Sequence, residues 1–285
     1  MIETVFSVSD DFDPLAGVGK VVDDCREQLG SRIPPAGNFF TSCLDVDYSQ
    51  MLAEIHTAFP DIELIGCTTD GEITQRAGFS EDSSALLIIS ADHIRFAASI
   101  AENISEDSGS SVEKGFRQAK DKLADEPTLA LVLPDGMSTL SVPIDAILRS
   151  VMGESLPIFG GSAGDGLRLK QTFQFQGERV FTNAMPILLL AGALDMAVDI
   201  AIGPQPHGDF YPVDKADGNV IYRIDGVKGL AGFYGFARLS ELLEHLEGSA
   251  NKREYRTAQA LADVLSSHVN ELRQQKPHVV DDLAN

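Results

Sequence analysis

Basic residues are scarce in this sequence: 22 Lys and Arg stand against 43 Asp and Glu, a formal net charge of −21. Nucleic acid and anionic membrane surfaces both require clustered cations, so neither is expected as the main partner. Cysteine is scarce too. Cys25, Cys43 and Cys67 are widely spaced and form no Cys-x-x-Cys pair, which excludes a cysteine zinc site or covalent haem attachment and fits a reducing compartment. No apolar run approaches the ~18–20 residues of a membrane span. Residues Met1 to Ser7 lack the basic-then-apolar pattern of a secretory leader. The expectation is a soluble, cytoplasmic protein. Catalytic signatures are also missing: there is no His-Glu-x-x-His, no Gly-x-Ser-x-Gly elbow and no Gly-Lys-Ser/Thr phosphate loop. Nothing argues positively for an enzyme, and none is expected.

What the sequence does contain is a duplication. The run Ile62-Glu63-Leu64-Ile65 breaks into the small, polar loop Gly66-Cys67-Thr68-Thr69-Asp70-Gly71. Pro157-Ile158-Phe159 breaks in the same way into Gly160-Gly161-Ser162-Ala163-Gly164-Asp165-Gly166, with Gly160 lying 94 residues after Gly66 (160 − 66). A strand and an amphipathic helix precede each loop: Asn38–Thr41 with Tyr48–Phe59, and Leu129–Leu133 with Ser141–Val151. A second apolar run follows each, Ala85–Ile89 and Ile187–Ala191.

Helices are further predicted over Pro14–Leu29 and Val112–Leu123, and strands over Ser84–Ser90, His93–Ile100, Met196–Ile202 and Asn219–Ile224. Ala91-Asp92 reads as a tight turn joining two of these strands into an antiparallel pair, and Gly177 as the centre of a hairpin. The fold class is α/β, with mixed sheets built from helix–strand–helix–strand–loop–strand units over about residues 1–100 and 108–203. Residues 204–285 differ. From Val227 onward they read as helices, with apolar stripes at Leu239, Leu242, Leu243 and Leu246, and at Leu261, Val264, Leu265, Val269 and Leu272.

In open α/β sheets ligands bind beyond the carboxyl ends of the strands. Four strand ends here carry an aspartate: Asp45, Asp70, Asp135 and Asp165. Two duplicated loops facing one cleft make Gly66, Cys67, Thr68, Thr69 and Asp70, with Gly160, Gly161, Ser162 and Asp165, the candidate ligand-binding residues. Exposed amides and hydroxyls would hold a carboxylate, and Asp70 or Asp165 an ammonium, so an amino-acid-sized zwitterion suits both. Aspartate is equally a turn former and a helix cap, and that reading stays open. Among six histidines, His207 lies between Pro206 and Gly208 and is the candidate metal or haem-iron ligand.

The string Leu64–Ile73, then Ile158–Gly166 with Gln174-Phe175, resembles the amino-terminal FIST domain of bacterial signal transduction. His207-Gly208, Tyr211-Pro212-Val213 and Gly218–Gly226 are similar to the start of the carboxy-terminal FIST domain. The resemblance implies an intracellular sensory module that binds a small ligand, amino acids among the proposed ones. It further implies output through a separate histidine kinase, diguanylate cyclase or phosphodiesterase, or chemotaxis protein. A branch of the family implies haem and nitric-oxide sensing as the alternative, with His207 as axial ligand; otherwise no cofactor is expected. A ligand-free interaction scaffold is the third reading. The carboxy-terminal region is abbreviated relative to the family pattern.

Overall fold

The computed structural model describes residues 2–75, 77–139, 142–168, 170–197, 212–217, 220–224 and 227–228. The chain divides into two compact units, Met1–Asp199 and Ile200–Asn285.

In the first unit the order is β1 (Ile2–Ser9), α1 (Pro14–Leu29), β2 (Ala36–Thr41), α2 (Tyr48–Ala58), β3 (Glu63–Thr68), β4 (Glu72–Thr74), β5 (Gly78–Ser80) and β6 (Ser84–Ala91). It continues with β7 (Ile94–Glu102), α3 (Ser108–Lys120), β8 (Pro127–Val132), α4 (Ile144–Met152), β9 (Ile158–Gly160), β10 (Gln174–Gln176), β11 (Arg179–Phe181) and β12 (Ala184–Gly192). Aspartates start three of the helices. Asp13 Oδ1 accepts from Leu15 and Ala16 N–H ahead of α1, Asp47 from Ser49 and Gln50 ahead of α2, and Asp107 from Ser110 at α3.

One sheet runs β1-β6-β2-β3-β10-β11 and the other β7-β12-β8-β9. Their first four strands are paired identically. β1 is antiparallel to β6 as β7 is to β12; β2 is antiparallel to β6 as β8 is to β12; β2 is parallel to β3 as β8 is to β9. The duplication is therefore β-α-β-α-β-hairpin-β, one strand longer at its start than the periodicity alone suggested.

Side-chain alternation sets the layers. On β3, Leu64 joins the core under α1 and α2, where Val18, Val22, Met51, Leu52 and Ile55 are buried, while Ile65 and Cys67 face the other way. On β12, Met185, Ile187 and Leu189 pack with Val112, Ala119, Leu148 and Met152 of α3 and α4. Leu188 and Leu190 share a third core with Ile65 and Cys67. The result is four layers: helices, sheet, sheet, helices. Glu63 ties the sheets at one edge, its carboxylate accepting Ala98 N–H of β7 at 2.7 Å beside Lys122, whose Nζ donates to Ala98 O at 2.6 Å.

Two expectations need correction here. β6 and β7 do not pair: β6 lies in the first sheet and β7 in the second, so the turn at Ala91-Asp92 is a crossover between layers. Each strand finds longer partners elsewhere, β1 and β2 for β6, and β12 for β7. Residues 193–197 are not a strand, and 198–202 lie outside the described residues. The hairpin at Gly177 does form, but it joins the sheet of the first repeat, β10 pairing with β3.

In the second unit β13 (Val213–Asp217), β14 (Val220–Ile224) and β15 (Val227–Lys228) form an antiparallel meander. Val227 and Lys228 are thus strand, where a helix was expected; residues 229–285, with both leucine stripes, lie outside the described residues.

Candidate functional site

The glycines that open the two loops hold the same structural position. A Cβ on Gly66 would stand 2.1 Å from Phe39 O, and one on Gly160 would stand 1.8 Å from Val132 O, in each case the carbonyl of the residue paired across the parallel strands. The chain can continue only without a side chain there. Three residues on, Thr69 N–H donates to Thr41 O at 3.0 Å and Ala163 N–H to Pro134 O at 2.8 Å. Asp70 and Gly164 are therefore counterparts.

The two loops meet. Gly164 N–H donates to Thr68 O at 2.9 Å, and Asp70 Oδ1 accepts Gly166 N–H at 2.8 Å and Leu167 N–H at 3.2 Å. The clasp holds Leu167 at φ 59, a left-handed backbone rare for a bulky residue, with its side chain exposed. Asp165, 5% exposed, accepts Lys170 and Gln171 N–H through Oδ2 at 2.6 and 3.1 Å. Arg168 pairs with Asp45 at 2.6 Å, and Asp45 holds its guanidinium above its ordinary pKa. Asp135 accepts Met137, Ser138 and Asn183 N–H.

All four aspartates thus cluster at the carboxyl ends of β2, β3, β8 and β9, each engaged by donors of the protein itself. Thr68 is buried and its hydroxyl accepts Phe173 N–H at 3.0 Å; Gly160, Gly161 and Ser162 are exposed. Cys67 faces the core between the sheets, where burial pushes its thiol up to about 12. His207 lies outside the described residues. Among the described residues no group of three or more His, Cys, Asp or Glu could hold a metal ion, and no helix is long and apolar enough to cross a membrane.

A pocket of about 300 Å³ adjoins the first loop. Phe6, Phe40, Ala85 and Leu87 of the sheet form one wall. Thr69, Gly71 and Glu72, with Ile73 and Thr74 of the β4–β5 hairpin, form the other. Of the residues expected from the sequence, only Thr69 lines it.

Beside it lies a group that sequence reasoning did not single out. Glu72 is 6% exposed; its Oε1 accepts the Thr69 hydroxyl at 2.6 Å, and its Oε2 accepts Ser42 at 2.8 Å and the Ser83 hydroxyl. Ser83 N–H donates to Ser42 Oγ at 3.0 Å, the bond that Asn183 makes to Asp135 in the second repeat. Glu72 follows Asp70-Gly71 directly, but no spacing links it to Ser42 or Ser83. Only the strand pairing brings them together.

A family model of the FIST N domain matches residues 36–227, from β2 to the start of β15. An uncharacterised protein of Methanocaldococcus jannaschii is 26% identical over 199 residues, covering 66% of this chain and 38% of that protein. The chain thus spans well under half the length of this relative. Among solved structures, a cyanuric acid hydrolase from A. caulinodans matches 68% of this chain and 72% of its own, at a TM-score of 0.39 and 10% identity.

Proposed function

We propose, because this chain belongs to the FIST family and so carries a sensory domain of signal transduction, that its first unit binds a small ligand in the pocket beside Thr69 and reports it through the clasp of the two repeats. The observation that carries this reading is the junction itself. The loop that borders the pocket is the one whose Asp70 holds the amides of Gly166 and Leu167 from the other repeat. A ligand that displaces Thr69 or Gly71 also displaces Asp70, and the exposed, left-handed Leu167 moves with it. A ligand acts only through unequal affinity for two arrangements, and a clasp of three hydrogen bonds at an exposed junction is weak enough to have two.

About 300 Å³ suits an amino-acid-sized molecule. The unit acts as a binding module, not an enzyme. Its output passes to a separate protein, a histidine kinase, a cyclic-dinucleotide enzyme or a chemotaxis component.

The test is a thermal-shift screen of the purified chain against amino acids and small amines, followed by hydrogen exchange with the best hit. The expected result is a raised Tm and altered exchange at Gly166 and Leu167, with the exchange response lost in Asp70→Ala. A hit that changes exchange at the pocket but leaves the second loop untouched would overturn the coupling, and no hit at all would overturn ligand sensing by this unit.

A further inference from the structure

We propose that Glu72 is the receptor for an ammonium group, and that the pocket takes small cations with an apolar body and no acidic group. This rests on the ligand-binding reading above and names its chemistry. Glu72 is a buried carboxylate, and among the described residues no Lys, Arg or His lies within ion-pair distance of it. Three hydroxyls answer it instead, from Ser42, Thr69 and Ser83. Hydroxyls orient a carboxylate but leave its charge uncompensated, and burying such a charge is costly until a cation arrives. Oε2 accepts two of these bonds and Oε1 one, so Oε1 retains acceptor capacity.

The pocket that Glu72 helps to line offers Phe6, Phe40, Ala85, Leu87 and Ile73 to an apolar body. Among the described residues no Lys, Arg or His lines it. The net charge of −21 favours approach of cations and opposes that of anions. Asp70 and Asp165, the carboxylates singled out from the sequence, are each occupied by two backbone amides and do not line this pocket. Glu72 therefore takes the role that the sequence pattern assigned to them.

The test is calorimetric titration of the full chain with n-butylammonium and 2-phenylethylammonium chlorides, set against 1-butanol, butyrate and norvaline. The expected result is that the amines bind at least about tenfold tighter than the alcohol, the acid and the amino acid. Glu72→Gln removes the charge, while its amide oxygen still accepts from the hydroxyls on its side, and it abolishes that preference. Leu87→Trp, which fills the pocket from the sheet side and leaves Glu72 in the sequence, abolishes amine binding independently. Equal binding of amine and alcohol, or an amine preference that survives Glu72→Gln, would overturn the assignment. If norvaline binds best and depends on Asp70 or Asp165, ligand sensing stands and the Glu72 proposal falls. If no compound binds, both fall.

Discussion

Asp70 and Gly164 hold the same place in the two repeats, and they touch: a Cβ on Gly164 would lie 2.4 Å from Asp70 Oδ1 and 2.9 Å from Asp70 N. A duplicated loop that packs against its own copy cannot keep the same residue on both sides. One copy carries the carboxylate, and the other has no side chain and leaves room for it.

Gly164→Ala should therefore open the clasp. Overpacking against a backbone nitrogen and a carboxylate is expected to cost about 1–3 kcal/mol in urea unfolding. Gly161→Ala, where the new Cβ meets nothing within 4 Å, should stay within about 0.5 kcal/mol of the wild type. Equal stability of the two variants would show that the loops do not pack as described.

The paired glycines behind the loops should be less tolerant still. In Gly66→Ala and Gly160→Ala the methyl meets a carbonyl oxygen of a paired strand, so the sheet must shift. A loss of at least about 2–3 kcal/mol is expected for each. Gly19→Ala in α1, which meets nothing, should gain roughly 0.5–1 kcal/mol. The comparison is made by guanidinium unfolding with tryptophan-free circular dichroism detection.

Removing the carboxylate that ties the sheets should also register. Glu63→Ala leaves Ala98 N–H without its charged acceptor, a loss of about 1.5–3 kcal/mol. Hydrogen exchange at Ala98 should rise selectively, and unchanged protection there would mean the tie is not formed in solution.

Alkaline pH should destabilise the fold before it ionises the folded core. Burial raises the Cys25 and Cys67 thiols from 9.0 to about 12, and burial with the nearby Asp45 raises the Tyr48 hydroxyl from 10.0 to about 12. Between these limits the unfolded chain releases protons that the folded chain retains. This stabilisation is complete below the unfolded values and is lost as pH rises towards about 12. The urea midpoint should fall steadily above about pH 9, less so in Cys67→Ala, and the native thiols should react slowly with a disulfide reagent at about pH 8. A midpoint that stays flat up to about pH 11 would contradict the burial of these groups.

The helices were legible because their signals are local. α1 begins at Pro14 behind Asp13 and ends before Gly30, and its buried stripe of Val18, Val21, Val22, Cys25 and Leu29 can be read from spacing alone. The hairpin at Gly177 was equally local. β1 escaped notice because Ile2–Ser9 has only weak alternation and owes its strand to pairing with all of β6. The separation of β6 from β7 was invisible for the converse reason. Two apolar strands joined by a short turn read as a hairpin, and only the competing partners β1, β2 and β12 draw them into different sheets.

By itself the sequence determined the duplication, the α/β class and the small, glycine-opened loops at matching strand ends, because each follows from residue type and local spacing. The tertiary structure alone decided which carboxylates are occupied. Asp70 meets the amides of Gly166 and Leu167, Asp165 meets those of Lys170 and Gln171, and Glu72 is enclosed by Ser42, Thr69 and Ser83. A carboxylate's role depends on which donors surround it after folding, and Ser42, 30 residues from Glu72, with Gly166 and Leu167, 96 and 97 residues from Asp70, arrive only once the sheet has chosen its order.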